Sequence, residues 1–274
     1  MSGKLYLVAT PIGNLEDMTL RAIRILKEVD LIAAEDTRQT IKLLNHLEIS
    51  KPMISYHRHN EEIKTDRIIE ELKEGKNIAL VSDAGTPVIS DPGEIIVRQA
   101  VEEGIEIIPI PGACALINGL IVSGLETKEF NFMGFLSTNK KIRKEKLEEI
   151  KNKKDTTILY EAPHKLKNTL KDLEEILEDR QVVIAREITK IHEEYIRGTI
   201  SEILEKYTEP RGEHIIIIEG NKNIEENKEN IFEYMTIEEH YKYYEEQGFS
   251  KNDIIKKIAK DRQVSKNEIY KQFI

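Results

Sequence analysis

Between residues 5 and 110 the chain alternates short apolar, β-branched runs with segments of helical periodicity, and this alternation constrains the fold more than any other feature. Strands and helices that follow one another in turn predict a mostly parallel sheet with helices on its faces. The predicted strands are 5–10, 31–35, 53–56, 77–82 and 105–110, and the predicted helices between them are 19–29, 37–46, 61–74 and 94–104.

The second part of the chain continues this pattern less regularly. Several predicted strands follow one another without a helix, which favours a mixed sheet within an α/β fold. The predicted strands here are 130–136, 156–162, 181–188, 193–200 and 213–220, with helices at 112–123, 139–152, 163–178 and 200–206. We therefore predict an N-terminal α/β domain over 1–120, a mixed α/β domain over 121–222 and a tail over 223–274.

The tail changes composition twice. Residues 221–249 are rich in acids, as expected of a linker that merges into a solvated helix. Residues 250–274 instead carry seven Lys and Arg against three acids, and they repeat a helix-opening phrase, SKND at Ser250 and SKNE at Ser265. A serine followed three residues later by an acid is typical of a capping box. Two short capped helices predict a helix-turn-helix extension.

Charge and cysteine content limit the class of protein. Cys114 is the single cysteine, so an intrachain disulfide is excluded and a reducing cytoplasm is expected. The N-terminal apolar run is too short for a secretory signal, and no segment approaches the ~20 apolar residues of a membrane span. The net charge of −9 argues against a nucleic-acid partner, because phosphates are bound by Lys and Arg. Those residues nevertheless cluster in two segments, 138–154 and 250–274.

The stretch SDAGTPVISDPG, residues 82–93, is too elaborate for a mere connection between a strand and a helix. It follows the fourth predicted strand, and ligands of open α/β sheets bind beyond the carboxyl ends of strands. Gly85 lets the backbone approach a ligand closely, whereas Asp83 and Asp91 favour a cationic or hydroxyl-bearing ligand over a phosphate. Asp91 has an alternative role as the cap of the following helix. Neither common glycine-rich phosphate motif occurs in the chain.

Polar residues also gather at the ends of other predicted strands. The loop ATPIGNLEDMT, residues 9–19, follows the first strand and is either a second binding loop or an ordinary turn. Glu35, Asp36 and Arg38 follow the second strand, where they could position a hydroxyl or clamp a phosphate. Asp36 is at the same time a candidate helix cap.

Three other groups have weaker signals. His57 and His59 alternate on an extended segment, so their rings would point to opposite faces and a metal site is not favoured. Cys114 has no visible His partner and is expected to pack. The charged residues at the strand ends of the second half could form surface salt bridges, and they are Glu161, His164, Arg186, Glu187 and Lys190.

Five phrases, VATPIGNLEDMT, AEDTR, SDAGTPVISDPG, YEAPHK and AREITK, stand in this order together with PIPGACA and the closing SKNE helix. In these motifs the chain closely resembles the bacterial ribosomal small-subunit RNA cytidine 2′-O-methyltransferases of the tetrapyrrole-methylase superfamily, over essentially its whole length. The resemblance implies a two-domain, class III methyltransferase fold with a small helix-turn-helix extension. It also implies a cytoplasmic homodimer, S-adenosylmethionine as methyl donor, and one cytidine in the decoding centre of 16S rRNA, free or in the small ribosomal subunit, as substrate.

The same resemblance implies which residues hold the donor. They lie in the loops after the predicted strands and at strand ends, and they are Pro11, Asp83, Ala84, Gly85, Thr86, Cys114, Ala115, Leu159, Tyr160, Ala185, Glu213 and His214. Where tetrapyrrole methylases carry a Gly-Asp-Pro loop, this chain reads Ser-Asp-Ala-Gly, which speaks against a corrin or porphyrin substrate. A sulfonium donor is activated by its own charge, so no metal is expected.

Methyl transfer to a ribose hydroxyl calls for a group that helps the proton leave, a contribution of about 10²–10⁴-fold. The candidate bases are Glu35, Asp36 and Glu187, and the candidate phosphate-binding cations are Arg38, Arg186 and Lys190. Both basic segments are expected to contact the RNA backbone. Two other functions stay open, a small-molecule methyltransferase and a ligand-responsive DNA-binding regulator, the latter requiring two recognition helices at matched spacing.

Overall fold

The computed structural model describes residues 2–207, 212–222, 232, 235–262 and 264–272. These residues form two compact units that divide after Gly220. The larger unit contains two five-stranded sheets, and the smaller unit contains helices. Among the described residues, no helix is long and apolar enough to cross a membrane.

The first sheet is entirely parallel, which confirms the prediction from the alternating pattern. Its strands are β1 (Lys4–Val8), β2 (Leu31–Ala34), β3 (Met53–Ser55), β4 (Ile78–Val81) and β5 (Glu106–Ile110), in the spatial order β3-β2-β4-β1-β5. The helices between them are α1 (Leu20–Glu28), α2 (Thr37–His46), α3 (Glu61–Lys73) and α4 (Glu94–Glu102), with a 3₁₀ turn at Leu15–Asp17 before α1.

The central strands β2 and β4 are buried at every position, which explains why their sequences, LIAA and IALV, are apolar throughout. One face of the sheet packs around Leu26 and Leu44 of α1 and α2, and the other around Ile68 and Ile96 of α3 and α4. Because the strands are parallel, their carboxyl ends lie along one edge, where the loops of candidate site residues also lie.

The second sheet is mixed, as predicted. Its strands are β6 (Phe130–Phe135), β7 (Thr156–Glu161), β8 (Gln181–Arg186), β9 (Glu194–Thr199) and β10 (His214–Ile218), in the order β6-β7-β10-β8-β9. The associated helices are α5 (Ala115–Ile121), α6 (Lys140–Lys151), α7 (Pro163–Leu177) and α8 (Ile200–Lys206). Strand β6 is parallel to β7, whereas β10 is antiparallel to both β7 and β8.

The two faces of the second sheet are covered by different elements. Helices α6, α7 and α8 pack on one face in a core that includes Leu147, Leu170 and Ile203. Helix α5 covers the other face through Leu116 and Leu120. It begins at Ala115 rather than at the predicted residue 112, because the preceding residues, including Cys114 at φ −144°, are extended. The predicted division between the two α/β domains near residue 120 therefore falls within α5 and stays a prediction.

The smaller unit contains α9 (Ile237–Glu245), α10 (Lys251–Asp261) and α11 (Lys266–Tyr270). Its core includes Tyr244, Ile254, Ile258 and Ile269. Ser250 caps α10 and Ser265 caps α11, which confirms the predicted caps and the helical extension. The predicted capping box is not completed at Ser250: the Asp253 carboxylate accepts from the Ser250 hydroxyl at 2.6 Å, not from its backbone N–H.

Candidate active site

Three loops at the carboxyl edge of the first sheet are bonded to one another. Thr10 and Gly85 exchange two backbone hydrogen bonds, of 2.9 and 3.0 Å, and form an isolated β-bridge. The Thr10 hydroxyl also donates to the Ser82 carbonyl at 3.1 Å, and the Thr86 hydroxyl donates to the Ala113 carbonyl at 3.0 Å. The loops after β1, β4 and β5 therefore form one connected surface.

The loop at 82–93 has an unusual backbone. Val88 and Ser90 have φ angles of 77° and 66°, a region that β-branched side chains rarely enter and that costs about 1–3 kcal/mol. Gly93, at φ 136°, is the N-cap of α4 without a side-chain hydrogen bond. The alternative that Asp91 only caps this helix is therefore wrong. The strained turn instead directs Asp91 to the same cleft as Asp83.

This loop faces the second sheet across a cleft of about 430 Å³. Gly134, in the bulge of β6, approaches the loop so closely that a Cβ there would lie 3.1 Å from the Ser90 Oγ. The volume is within the range of about 300–1,000 Å³ that small-molecule sites occupy. Five carboxylates and no Lys or Arg line the cleft, and those carboxylates, all in described parts of the chain, are Glu35, Asp83, Asp91, Glu161 and Glu213.

Three of these acids, Glu35, Asp83 and Asp91, form what we call the acidic rim. Burial raises the pKa of Glu35 and of Asp83 above the ordinary values. Burial and the nearby Glu35 carboxylate raise the pKa of Asp91 to about 6. The Asp83 carboxylate accepts from the Asp36 backbone N–H at 3.0 Å, and the Glu35 carboxylate accepts from the Asp83 N–H at 3.4 Å. None of the three carboxylates has an ion pair within 4 Å among the described residues, although the nearby Arg58 charge acts to lower the pKa of Glu35 and of Asp91.

Asp36 and Arg38 have a different role. Asp36 is the N-cap of α2, since its carboxylate accepts from the Arg38 backbone N–H at 2.8 Å, which confirms the capping interpretation. The Arg38 guanidinium also pairs with this carboxylate at 2.7 Å, and it holds the Asp36 pKa at about 2. The Arg38 side chain is 87% exposed. Neither residue lines the cleft.

The charges at the ends of β8 and β10, which we call the paired rim, are mutually satisfied. The Lys190 ammonium lies 3.0 Å from Glu187 and 3.3 Å from Glu213, and Arg186 lies 3.3 Å from Glu194. Glu187 has φ 49°, so the backbone turns sharply at this point. Glu213 is the one member of this rim that lines the cleft.

His214 closes the cleft beside this rim. It is 3% exposed, and its Nε2 lies 2.7 Å from the Tyr207 hydroxyl. Burial, with the nearby Arg186 charge, lowers the pKa of His214 to about 4, so the ring is neutral at pH 7. Its Nδ1 is buried without a hydrogen-bond partner among the described residues.

The structure brings together nine of the twelve donor-binding residues that the resemblance implies. They line the cleft and are Asp83, Ala84, Gly85, Thr86, Cys114, Ala115, Tyr160, Glu213 and His214. Pro11 follows the Thr10–Gly85 bridge but does not line the cleft. The side chain of Leu159 belongs to the core between the sheet and α6–α7, and that of Ala185 to the core under α5. These two residues could reach a ligand only through their backbone.

Four more residues lie at the cleft. The sequence predicts Asp91 as a ligand-facing or helix-capping residue and Glu161 as a charged residue at a strand end, whereas Phe135 and Arg58 escaped the sequence prediction. Asp91 and Phe135 line the cleft, and Phe135 is 59% exposed. Glu161 also lines it and is buried, accepting from the Thr169 hydroxyl at 2.5 Å and from the Ala162 N–H at 2.9 Å, so it is not a surface salt bridge. The exposed Arg58 donates to the Ser90 carbonyl. In the sequence, the one feature that drew attention to Arg58 was its position between His57 and His59.

The cleft fits a cationic, nucleoside-sized methyl donor. A Cβ at Gly85, whose φ is 87°, would lie 3.2 Å from Ile12 Cγ2, so a side chain at this turn would crowd Ile12. The bare backbone at Gly85 leaves the cleft open to a ligand. The carboxylates supply negative charge, and Tyr160, whose pKa burial raises to about 12, supplies a neutral ring. No group of three or more His, Cys, Asp or Glu among the described residues could hold a metal ion.

Comparison with known proteins agrees with this geometry. Residues 4–204 match the family model of the tetrapyrrole (corrin/porphyrin) methylases. Among solved structures, a diphthine synthase superposes with a TM-score of 0.62 at 15% identity, covering 80% of this chain and 90% of that one. A Thermus thermophilus uroporphyrin-III C-methyltransferase in complex with S-adenosylhomocysteine superposes with a TM-score of 0.56 at 17% identity, covering 79% and 97%. These likenesses concern the fold.

Two relatives are much closer in sequence. The ribosomal RNA small subunit methyltransferases I of Halalkalibacterium halodurans and Bacillus subtilis are 53% and 52% identical, each covering 98% of this chain and 93% of the relative. Fold and cleft together define an S-adenosylmethionine-dependent methyltransferase of class III. The chain belongs to the tetrapyrrole methylase family and, within it, to the ribosomal RNA small subunit methyltransferase I family.

Proposed function

We propose that this protein transfers a methyl group from S-adenosylmethionine to the 2′-hydroxyl of one cytidine in the decoding centre of 16S rRNA. The observation that carries the proposal is the cleft itself, with five carboxylates and no Lys or Arg in its lining. Such a lining favours a sulfonium over a phosphate-rich or anionic ligand. The names of the close relatives support ribosomal RNA as the acceptor.

The residues at 83–86 would hold the donor. Their backbone is fixed by the Thr10–Gly85 bridge and by the Thr86 hydroxyl, and the Asp83 carboxylate lies at the cleft wall. When bound, S-adenosylmethionine supplies a methyl group activated by the positive charge on its sulfur. Rigid walls on both sides allow the acceptor hydroxyl to be aligned with that methyl group, and such alignment contributes up to about 7–11 kcal/mol in favourable cases.

Among the three candidate bases, the contacts favour Glu35. Asp36 is bound by Arg38 and by a helix N-terminus, and its pKa of about 2 makes it a poor proton acceptor. Glu187 is paired with Lys190 and does not line the cleft. Glu35 lines the cleft, has no ion pair within 4 Å in the described structure, and has a raised pKa. We therefore assign proton acceptance to Glu35, with Asp91 beside it as a second carboxylate.

The proposal extends to the partners and the compartment. We infer a cytoplasmic homodimer that acts on 16S rRNA or on the small ribosomal subunit. The basic helix-turn-helix at 250–274 is assigned to RNA contact, and deletion of residues 249–274 should then weaken rRNA binding. Unchanged affinity would exclude the tail from recognition.

The decisive experiment is a donor-dependent methylation assay. Purified small ribosomal subunits, free 16S rRNA, duplex DNA and a tetrapyrrole are each incubated with labelled S-adenosylmethionine, and the modified nucleotide is mapped. We expect label on one cytidine ribose of the rRNA and none on the tetrapyrrole or the DNA. Label on the tetrapyrrole alone would establish a small-molecule enzyme instead.

Calorimetry tests the donor site separately. The parent protein should bind S-adenosylmethionine, and Asp83→Ala should bind it at least about 10-fold more weakly, because a carboxylate near a cation is lost. Equal heats for the parent and the variant would contradict the assigned site.

A further inference from the structure

If the protein acts on RNA as proposed, the acidic cleft creates an electrostatic problem. A ribose that enters the cleft brings its own phosphates with it, and the carboxylates of the lining repel them. Affinity for a nucleic acid comes mainly from phosphates that contact Lys and Arg. The backbone on either side of the target nucleotide therefore needs cations outside the cleft but close to it.

One built surface of this kind is the groove between α6 and α7, which we call the basic groove. Strands β6, β7 and β8 run in the same direction, so α6 and α7 both begin at the cleft edge and run away from it. The cleft-side half of the groove carries Lys140, Lys144 and Lys165, whereas the acids Asp172 and Glu175 lie farther along α7.

The groove and the cleft share the same supporting bonds. Arg143, whose side chain is only 17% exposed, donates to the Thr169 hydroxyl at 2.8 Å and pairs with Asp172 at 2.7 Å. The Thr169 hydroxyl in turn donates to Glu161 on the cleft wall at 2.5 Å. One continuous chain of hydrogen bonds therefore joins the floor of the groove to the wall of the cleft.

The lysines in and near α6 and α7 differ in whether they have a carboxylate partner. Lys146 and Lys153 both pair with Glu149, at 2.8 and 3.1 Å. Lys140, Lys144 and Lys165 are exposed and have no carboxylate within 4 Å in the described structure. Three lysines without a carboxylate partner therefore line the groove at its cleft-side end.

An aromatic ring stands where the groove meets the cleft. Phe135 ends β6, lines the cleft and is 59% exposed, while its ring is held edge-on against Tyr160 with centroids 5.6 Å apart. A large apolar ring left exposed beside a cationic groove is the arrangement with which proteins bind single-stranded RNA, because bases stack on aromatic faces.

We propose that Phe135 and the basic groove form a binding site for single-stranded RNA. The ring of Phe135 stacks on a base at the cleft mouth, and Lys140, Lys144 and Lys165 contact the phosphates that follow. This surface binds the nucleotide next to the target, while the ribose of the target nucleotide enters the acidic cleft. It rests on the proposed function, because it assumes an RNA acceptor.

The test is fluorescence anisotropy with a labelled single-stranded RNA oligonucleotide of mixed sequence, over a series of salt concentrations. Two full-length variants with the same change of charge are compared, Lys140→Gln/Lys144→Gln and the control Lys146→Gln/Lys153→Gln. We expect the groove variant to bind about 10-fold more weakly and its salt slope to fall by about 1.4, which is two phosphates at about 0.7 each. The control should keep the slope of the parent. Equal losses in both variants would overturn the groove.

Phe135 is tested in the same assay. Phe135→Ala should weaken RNA binding by about 5-fold or more without changing the salt slope, whereas Phe135→Tyr should retain it. A Phe135→Ala variant that binds like the parent, or a duplex bound as tightly as the single strand, would overturn the proposal. Donor calorimetry on every variant separates the two claims. If the groove variants bind the donor, methylate RNA and keep the RNA affinity of the parent, the groove proposal alone is refuted. If the parent binds RNA in the groove but does not methylate it, the proposed function alone is refuted.

Discussion

The two rims of the cleft begin from similar sequences and end in opposite electrostatic states. AEDTR places two acids and one cation at a strand end, and AREITK places one acid and two cations at another. In the paired rim, Lys190 contacts both Glu187 and Glu213. In the acidic rim, Arg38 turns outward to Asp36, and Glu35 is left facing the cleft with Asp83.

This difference shows how one cleft can separate two tasks. Compensated charges fix the backbone geometry of β8 and β10 without changing the charge of the cleft. Partly buried carboxylates without an ion pair favour a cationic ligand and can accept a proton near neutral pH. We assign ligand binding and proton acceptance to the acidic rim, and structural support to the paired rim. Substitutions in each rim test this assignment.

The largest expected effect concerns proton acceptance. Glu35→Gln should lower the single-turnover rate of methyl transfer by about 10²–10⁴-fold at saturating donor and RNA, because the proton acceptor is lost. Glu187→Gln, in the paired rim, should lower it by less than about 10-fold. The rate of the parent should rise with pH through the raised pKa of Glu35. A greater loss in Glu187→Gln would reverse the roles of the rims.

The next effect concerns the strained loop of the acidic rim. At Gly93 a Cβ would lie 2.8 Å from Leu80 Cδ2 and 2.9 Å from Val88 Cγ2. Gly93→Ala should therefore lower the free energy of unfolding by about 3 kcal/mol. Gly104 also has a positive φ, 65°, but open space around it, so Gly104→Ala should cost only about 1 kcal/mol. Denaturant unfolding of both variants measures the difference, and equal losses would show that the loop is not tightly packed.

A third effect distinguishes the rims by their pH dependence. His214 beside the paired rim has a folded pKa of about 4, below its unfolded value near 6.5, so the unfolded chain takes up a proton first. Its contribution to stability is complete above pH 6.5 and is lost as the pH falls from 6.5 to 4, by about 2–3 kcal/mol. In the His214→Gln variant, the free energy of unfolding should fall less steeply between pH 6.5 and pH 4. A fall as steep as that of the parent would contradict the assignment.

The contribution of Asp91 in the acidic rim to the free energy of unfolding should change with pH in the opposite direction to that of His214, and by a smaller amount. The folded pKa of Asp91, about 6, lies above the unfolded value of 3.8, so its stabilising, protonated form is lost as the pH rises from 3.8 to 6. Asp91→Asn should raise the free energy of unfolding by about 1–2 kcal/mol at pH 8 and leave it unchanged at pH 3.5. Denaturant unfolding at both pH values checks this, and a destabilised variant at pH 8 would indicate that the charged form has a structural partner.

The order and type of the helices and strands followed from the sequence because periodicity and caps are local signals. The charge state of each strand end did not, since it depends on residues far apart in the chain. One of the two partners of Lys190 is the distant Glu213, and the N–H of Asp36 bonds to Asp83. The position of Asp91 depends on the left-handed backbone conformations of Val88 and Ser90, which neither valine nor serine predicts.

The resemblance to a known family implied twelve donor-binding positions, most of which the structure places at one cleft, and their binding of the donor stays a prediction. Nine of the implied residues line the cleft: Tyr160 is the penultimate residue of β7, His214 begins β10, Ala115 begins α5, and the other six lie in loops. Leu159 and Ala185 lie within strands, where the alternation of side chains sends them into the cores.

The Thr10–Gly85 bridge has a consequence for the energetics of binding. Two backbone hydrogen bonds hold the loops at 9–19 and 82–93 together before any ligand arrives. Conformational entropy that a mobile loop would lose on complex formation has already been lost during folding. The donor should therefore associate with little rearrangement of these walls, and its affinity should reflect contacts rather than the ordering of the chain.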